Sequence, residues 1–198
     1  MLWAGGVVAG LTALMRYDNR PGASANAPST WPESSPLVRD VEGPTIVMLA
    51  HPRCDCTKAS LAELAELMAR AGTRPRAYVV FIRPALVGDD WVDTDLWHAA
   101  SAISGVHVVR DDRGEEVRRF GAQTSGQILV YSQAGRLLYS GGTTASRGKV
   151  GENLGRASIL AALETGLPQQ SAPVFGCSLF APADLTAEEM TGHHELAR

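Results

Sequence analysis

One short stretch, His51-Pro52-Arg53-Cys54-Asp55-Cys56-Thr57, constrains this chain more than any other, because it holds two of the three cysteines at the junction of two periodic segments. Before it, Thr45-Ile46-Val47-Met48-Leu49-Ala50 is an unbroken apolar run of strand length. After it, Lys58 to Ala71 carries Leu61, Leu64, Ala65 and Met68 at helical spacing. The expected order is strand, paired thiols, helix. The positive end of a helix stabilises a neighbouring thiolate, which is the reactive form of cysteine, so this junction has the makings of a redox site.

The elements that follow extend the pattern. Gly72 stops the helix, Ala77 to Ile82 reads as a second strand, and the pair with its helix makes a parallel, right-handed βαβ unit. That places the Cys stretch at the carboxyl end of a strand, where open α/β sheets carry their sites. Asp93-Thr94 caps a short helix, Val106 to Val109 is a strand, and Glu115 to Phe120 makes one or two helical turns. Gln127 to Tyr131 and Leu137 to Tyr139 form an antiparallel hairpin around Gln133-Ala134-Gly135-Arg136, and Leu154 to Glu164 is a closing helix. Trp91 and Trp97 are expected to pack a helix on the sheet.

With 198 residues, 45% of them hydrophobic, the chain can bury one ordinary core and have segments left over. The organisation read from composition is an apolar segment over 1–16, a flexible Pro/Ser/Ala linker over 17–36 in which Trp31 docks on the domain, an α/β domain over 37–168 and a C-terminal extension over 169–198. A net charge of −3 and the lack of any Lys/Arg run interleaved with aromatics exclude nucleic acid as an expected partner. The uncharged run Leu2 to Met15 would span roughly 21 Å as a helix, short of a ~30 Å hydrocarbon core. It reads as a signal or membrane-anchor segment that puts the domain on the extracytoplasmic side, with a buried core helix as the alternative.

Taken together, His51-Pro-Arg-Cys-Asp-Cys-Thr, Ala59 to Leu64, Thr124-Ser125-Gly126, Gly141 to Gly148 and Phe175-Gly176-Cys177 resemble the thioredoxin-like proteins labelled RedB. The resemblance implies a thioredoxin-like α/β fold and thiol–disulfide oxidoreductase activity toward protein or small-molecule thiols and disulfides, with no cofactor. By analogy with thioredoxins, Cys54 is the more exposed, attacking thiolate and Cys56 the resolving thiol. His51, Pro52, Arg53, Thr57, Gly126 and Cys177 support the site. Two features depart from thioredoxins: a single residue separates the cysteines, and the proline expected before the hairpin is replaced near Gly126-Gln127.

The one-residue spacer holds the Cα atoms near the top of the roughly 4.4–6.8 Å disulfide range, so a Cys54–Cys56 bridge is expected to be strained and easily reduced. His51, Arg53, Lys58 and the helix end would lower a thiol pKa and Asp55 would raise it. Other chemistries use the same residues. Cys54, Cys56 and His51 are a ligand set for Cu(I) or Zn(II), and Cys56-Thr57 resembles a thiol-peroxidase pair. A degenerate fold kept only for interaction is a further alternative. Cys177 is either a third redox thiol or ligand, or a buried inert cysteine. Arg147 and Asn153 either line a groove above the thiols or belong to a loop in which Asn153 caps a helix. His193 and His194 read as a solvated tail.

Overall fold

A computed structural model of the chain describes residues 2–180. At its centre is β1 (Thr45–Ala50), fully buried along its length. The sheet order is β3-β2-β1-β4-β5. β2 (Arg76–Arg83) lies parallel to β1, with Val47 opposite Tyr78, and β3 (Val106–Asp112) lies parallel to β2. On the other side β4 (Gln127–Tyr131) is antiparallel to β1 and forms a hairpin with β5 (Leu137–Gly141). A central strand buried on both faces cannot alternate apolar with polar residues, which is why Thr45 to Ala50 reads as a continuous run.

The two faces have separate cores. Ile46, Met48 and Ala50 point toward α2 (Asp55–Arg70), α3 (Asp95–Ser101) and α5 (Leu154–Thr165), meeting Leu61, Leu64, Leu67, Ala100, Ile159 and Ala162. Val47 and Leu49 point the other way, toward Val117 of α4 (Glu115–Arg119), Phe120, Leu37, Leu179 and Phe180. Thr94 caps α3 and Asn153 caps α5 by accepting the amide hydrogens of Trp97 and Arg156. A crossover βαβ unit joined to an antiparallel hairpin and a closing helix is the thioredoxin-like layout, here with β3 added at one edge.

A buried ion pair ties α2 to the start of α5. Glu63, with no exposed surface, accepts from Arg156 Nη1 at 2.8 Å, the Gly151 amide at 2.6 Å and Asn153 Nδ2 at 3.2 Å. The carboxylate is fully hydrogen-bonded, as a buried charge must be. Glycine is obligatory at position 155, where a Cβ would stand 1.9 Å from the Gly142 carbonyl oxygen.

α1 (Leu2–Asp18) projects with residues 3–18 exposed, including Trp3 and Met15, and no helix among the described residues is long and apolar enough to cross a membrane. The following stretch, expected as a flexible linker, is hydrogen-bonded along the domain. Gly22 donates to the Val174 carbonyl, Asn26 to Gly121 and Trp31 to Gly135, while Ser29 accepts from Leu137. Backbone groups hold it, and those leave no periodic signature in a Pro/Ser/Ala sequence. Trp31 docks edge-on to Phe120 and Tyr131, each at 5.3 Å between ring centroids. Trp31→Ala should therefore lower unfolding free energy by about 2 kcal/mol, below the 3–5 kcal/mol of a fully buried Trp because this ring is half-buried. Trp3→Ala, at an 83% exposed position, should change it by under about 0.5 kcal/mol; chemical denaturation of both variants checks the contrast.

Candidate redox site

β1 ends at Ala50 and α2 begins at Asp55, so the four residues between them must turn the chain at the carboxyl edge of the sheet. His51 caps this turn: its Nδ1 accepts from the Arg53 amide at 3.1 Å, and its own amide donates to Ser125 Oγ at 2.8 Å. Pro52 is buried and Arg53 is exposed, its guanidinium 3.9 Å above the Trp91 ring, which also meets the His51 imidazole edge-on. Cys54 is the N-cap residue of α2, Cys56 lies in its first turn, and Thr57 is buried with its hydroxyl 2.8 Å from Ser125 Oγ.

The third thiol comes from the other end of the chain. The segment around Cys177 runs antiparallel to the one before β4: Ser125 donates its amide to the Cys177 carbonyl at 2.8 Å, Leu179 donates to Gln123 at 2.9 Å, and Thr124 and Ser178 form a bridge. This pairing sets the Cys177 sulfur 2.8 Å from the Cys54 sulfur. Val174, Phe175, Leu179 and Phe180 are buried on either side, and Arg147 Nη1 donates to the Gly176 carbonyl at 2.7 Å. Gly176 packs so closely that a Cβ there would stand 1.9 Å from the Ser125 carbonyl oxygen. Gly126, with φ +89°, leaves room for Ser60 at the start of β4, in the region where thioredoxins were expected to carry their proline.

Exposure of the thiols differs from the expectation. Cys54 is 1% exposed, Cys56 is half-buried and Cys177 is exposed. The reading of Cys54 as the solvent-facing thiol is thereby corrected: the Cys177 segment, far away in sequence, lies over it. All three are free thiols.

Their acidities diverge. Burial opposes ionisation of Cys54, but the Cys177 thiol and backbone, followed by Thr57, outweigh it, and the net shift is downward. Although Cys177 is exposed as a residue, its sulfur lies against Cys54, and that partial burial pushes the thiol up to about 12, with its hydrogen bond to Cys54 acting in the same direction. Cys56 is also raised, by burial and then by the neighbouring Cys54 charge, against the opposing pull of the Arg147 guanidinium. The His51 pKa is lowered by burial and by Arg53, so the ring is charged less readily than an ordinary imidazole and lends a thiolate less support. That support was expected of it from sequence.

Other expected site residues divide. Arg147 does stand beside the thiols, whereas Asn153 is a helix cap bonded to Glu63. Trp97 packs against Phe81 as expected. His193 and His194 lie outside the described residues. Ser125 was not singled out among the site residues, although it bonds the His51 turn, Thr57 and the Cys177 backbone; a lone Ser in Thr-Ser-Gly carries no chemical signature. Among the described residues no three His, Cys, Asp or Glu side chains converge on a metal position. Two sulfurs bound tetrahedrally at about 2.3 Å would stand about 3.8 Å apart, wider than the 2.8 Å Cys54–Cys177 contact.

No protein-family model and no curated protein sequence matches the chain. Solved structures do. A hypothetical protein from Sinorhizobium meliloti superposes with a TM-score of 0.62 at 16% identity, covering 84% of this chain and 100% of that one. An uncharacterized conserved protein from Geobacillus kaustophilus gives 0.59 at 20% identity, covering 83% and 94%. The pneumococcal exposed lipoprotein thioredoxin from Streptococcus pneumoniae gives 0.44 at 16% identity, covering 61% and 83%. At such identities the first two likenesses are of fold, and by its strand order and crossover the fold is thioredoxin-like in layout.

Proposed function

We propose that the protein is a thiol–disulfide oxidoreductase of the RedB-like kind whose redox couple is Cys54–Cys177, with Cys56 as a third thiol beside it. One observation carries the reading: the Cys54 and Cys177 sulfurs are 2.8 Å apart, within about 1 Å of the ~2.05 Å disulfide bond length. In the oxidative half-cycle a partner disulfide RSSR takes an electron pair from the Cys54 thiolate and the Cys177 thiol. The products are the Cys54–Cys177 disulfide, RS⁻ and RSH, the proton coming from Cys177. The reverse reaction oxidises partner thiols.

The packing of the Cys177 segment favours this couple over Cys54–Cys56. Leu179, Phe180 and the paired backbone hold the sulfurs together before any bond forms, so closing the disulfide orders little additional chain. A Cys-x-Cys bridge must bend the first turn of α2 instead. The couple is therefore expected to be harder to reduce than the strained bridge read from sequence, and to be poised further toward the reducing side. The residues do not favour His51 as a Cu(I) ligand, since accepting at Nδ1 places the proton of the neutral ring on Nε2 and leaves no free ring lone pair.

The same proposal takes α1 as the element that attaches the domain to a membrane, on the extracytoplasmic side. The support is an exposed helix whose residues 2–15 carry no charge and on which the domain places no apolar cover.

Three measurements check this reading. After air oxidation, the Cys56→Ser variant digested with trypsin without reductant should contain residues 54–58 joined to residues 157–198; a wild-type protein in which Cys54 is bridged to Cys56 and Cys177 is free would refute the couple. In the reduced protein, ultraviolet thiolate absorbance should show a first ionisation below the ordinary thiol value of 9.0. Cys54→Ser should abolish that step, and Cys177→Ala should move it upward, because it removes the side-chain donor that stabilises the Cys54 anion. Finally, the full chain should float with zwitterionic phospholipid vesicles and a variant lacking residues 2–16 should not; sedimentation of both would remove the anchor from the proposal.

A further inference from the structure

Within the oxidised couple the two sulfurs differ in their access to a partner. Cys54 is 1% exposed and enclosed by the start of α2, the His51 turn and the Cys177 segment, whereas Cys177 is exposed. An external nucleophile must reach a sulfur along the line of the bond it breaks, and burial closes Cys54 to that approach.

We infer that the sulfur exchanging with external partners is Cys177, carried on the paired segment 176–179, and that Cys54 acts as the buried internal acceptor. This rests on the Cys54–Cys177 couple proposed above and reverses the roles that a thioredoxin-like chain would assign to its helix-end cysteine. The partner is a small thiol, or a cysteine in a peptide flexible enough to reach the surface at Cys177. Its thiolate RS⁻ attacks the Cys177 sulfur. The Cys177–S–R bond forms, the Cys54–Cys177 bond breaks, and the electron pair leaves on Cys54 as thiolate. A second RS⁻ attacks the partner sulfur of the mixed disulfide, forming RSSR and expelling Cys177, which takes a proton from solvent. Two partner thiols are then oxidised by two electrons and the couple is reduced. A more oxidising partner disulfide returns it to the oxidised state by the same steps in reverse.

Leaving-group chemistry points the same way as access. Exchange is faster when the departing thiol has the lower pKa. Attack at Cys177 expels Cys54, whose acidity burial alone would diminish but which Cys177 and Thr57 enhance; attack at Cys54 would expel Cys177, raised by burial to about 12. Arg147 keeps the segment in place through the Gly176 carbonyl, so the Cys177 sulfur stays aligned over Cys54. Glu63 indirectly supports that placement by anchoring Gly151 and the start of α5.

The test uses full-length Cys56→Ser protein, oxidised and shown by peptide mapping to hold the cross-link. It is treated briefly with glutathione, quenched in acid, and alkylated with N-ethylmaleimide before mapping. Glutathione should be found on Cys177 and maleimide on Cys54, with at least about tenfold more glutathione on Cys177 than on Cys54. Cross-linked protein that takes up glutathione mainly on Cys54 overturns the inference and leaves the couple standing. Failure of the cross-link to form overturns the couple, and the inference with it. Should the Ser variant unfold, Cys56→Ala serves in the same protocol.

Discussion

The proposed redox site depends on one pairing, the antiparallel contact of Gln123 to Ser125 with Cys177 to Leu179. Without it the start of α2 would present a Cys-x-Cys motif to solvent. With it, a thiol more than a hundred residues away in sequence lies against Cys54 and removes it from solvent. Backbone hydrogen bonds alone contribute only about 0.5–1.5 kcal/mol each. The burial of Val174, Phe175, Leu179 and Phe180 adds the apolar surface that makes the contact persistent.

This placement has electrostatic consequences. A cysteine at a helix N-terminus already gains from the unpaired amides and dipole there. The Cys177 thiol adds a hydrogen-bond donor, and the two acidities separate in opposite directions: Cys54 becomes the group that carries charge, and Cys177 the group that carries the proton. That division suits a couple in which one sulfur leaves and the other is attacked. Cys56 has the Arg147 cation beside it, yet burial and the Cys54 charge keep it protonated more readily than an ordinary thiol.

Elements far from the thiols hold this arrangement. The Glu63–Arg156 pair fixes the loop after Gly148 against α2, and the 17–36 stretch braces the opposite side, with Thr124 Oγ1 donating to the Ala23 carbonyl one residue from Ser125. Tyr17, near the end of α1, lies beneath the Arg147 guanidinium at 5.0 Å. The N-terminal segment thus reaches the proposed redox site as well as extending from the domain.

Local pattern in the sequence determined most of the fold. Thr45 to Ala50 and Gln127 to Tyr131 are strands because they are short apolar runs. α2 and α5 have helical apolar spacing, and Thr94 and Asn153 are caps because their side-chain oxygens can accept amide hydrogens. The reactive junction was legible for the same reason, since thiols between a strand and a helix are a local feature. Tertiary structure alone decided which thiols meet, which is exposed, and what the 17–36 stretch does. Those outcomes rest on backbone pairing between distant segments and on the enclosure of one side chain by another. Hydrogen bonds to the Ser29 carbonyl and from the Ser125 amide, or a Cys177 sulfur brought to Cys54, obey no period along the chain, so only the folded arrangement assigns them.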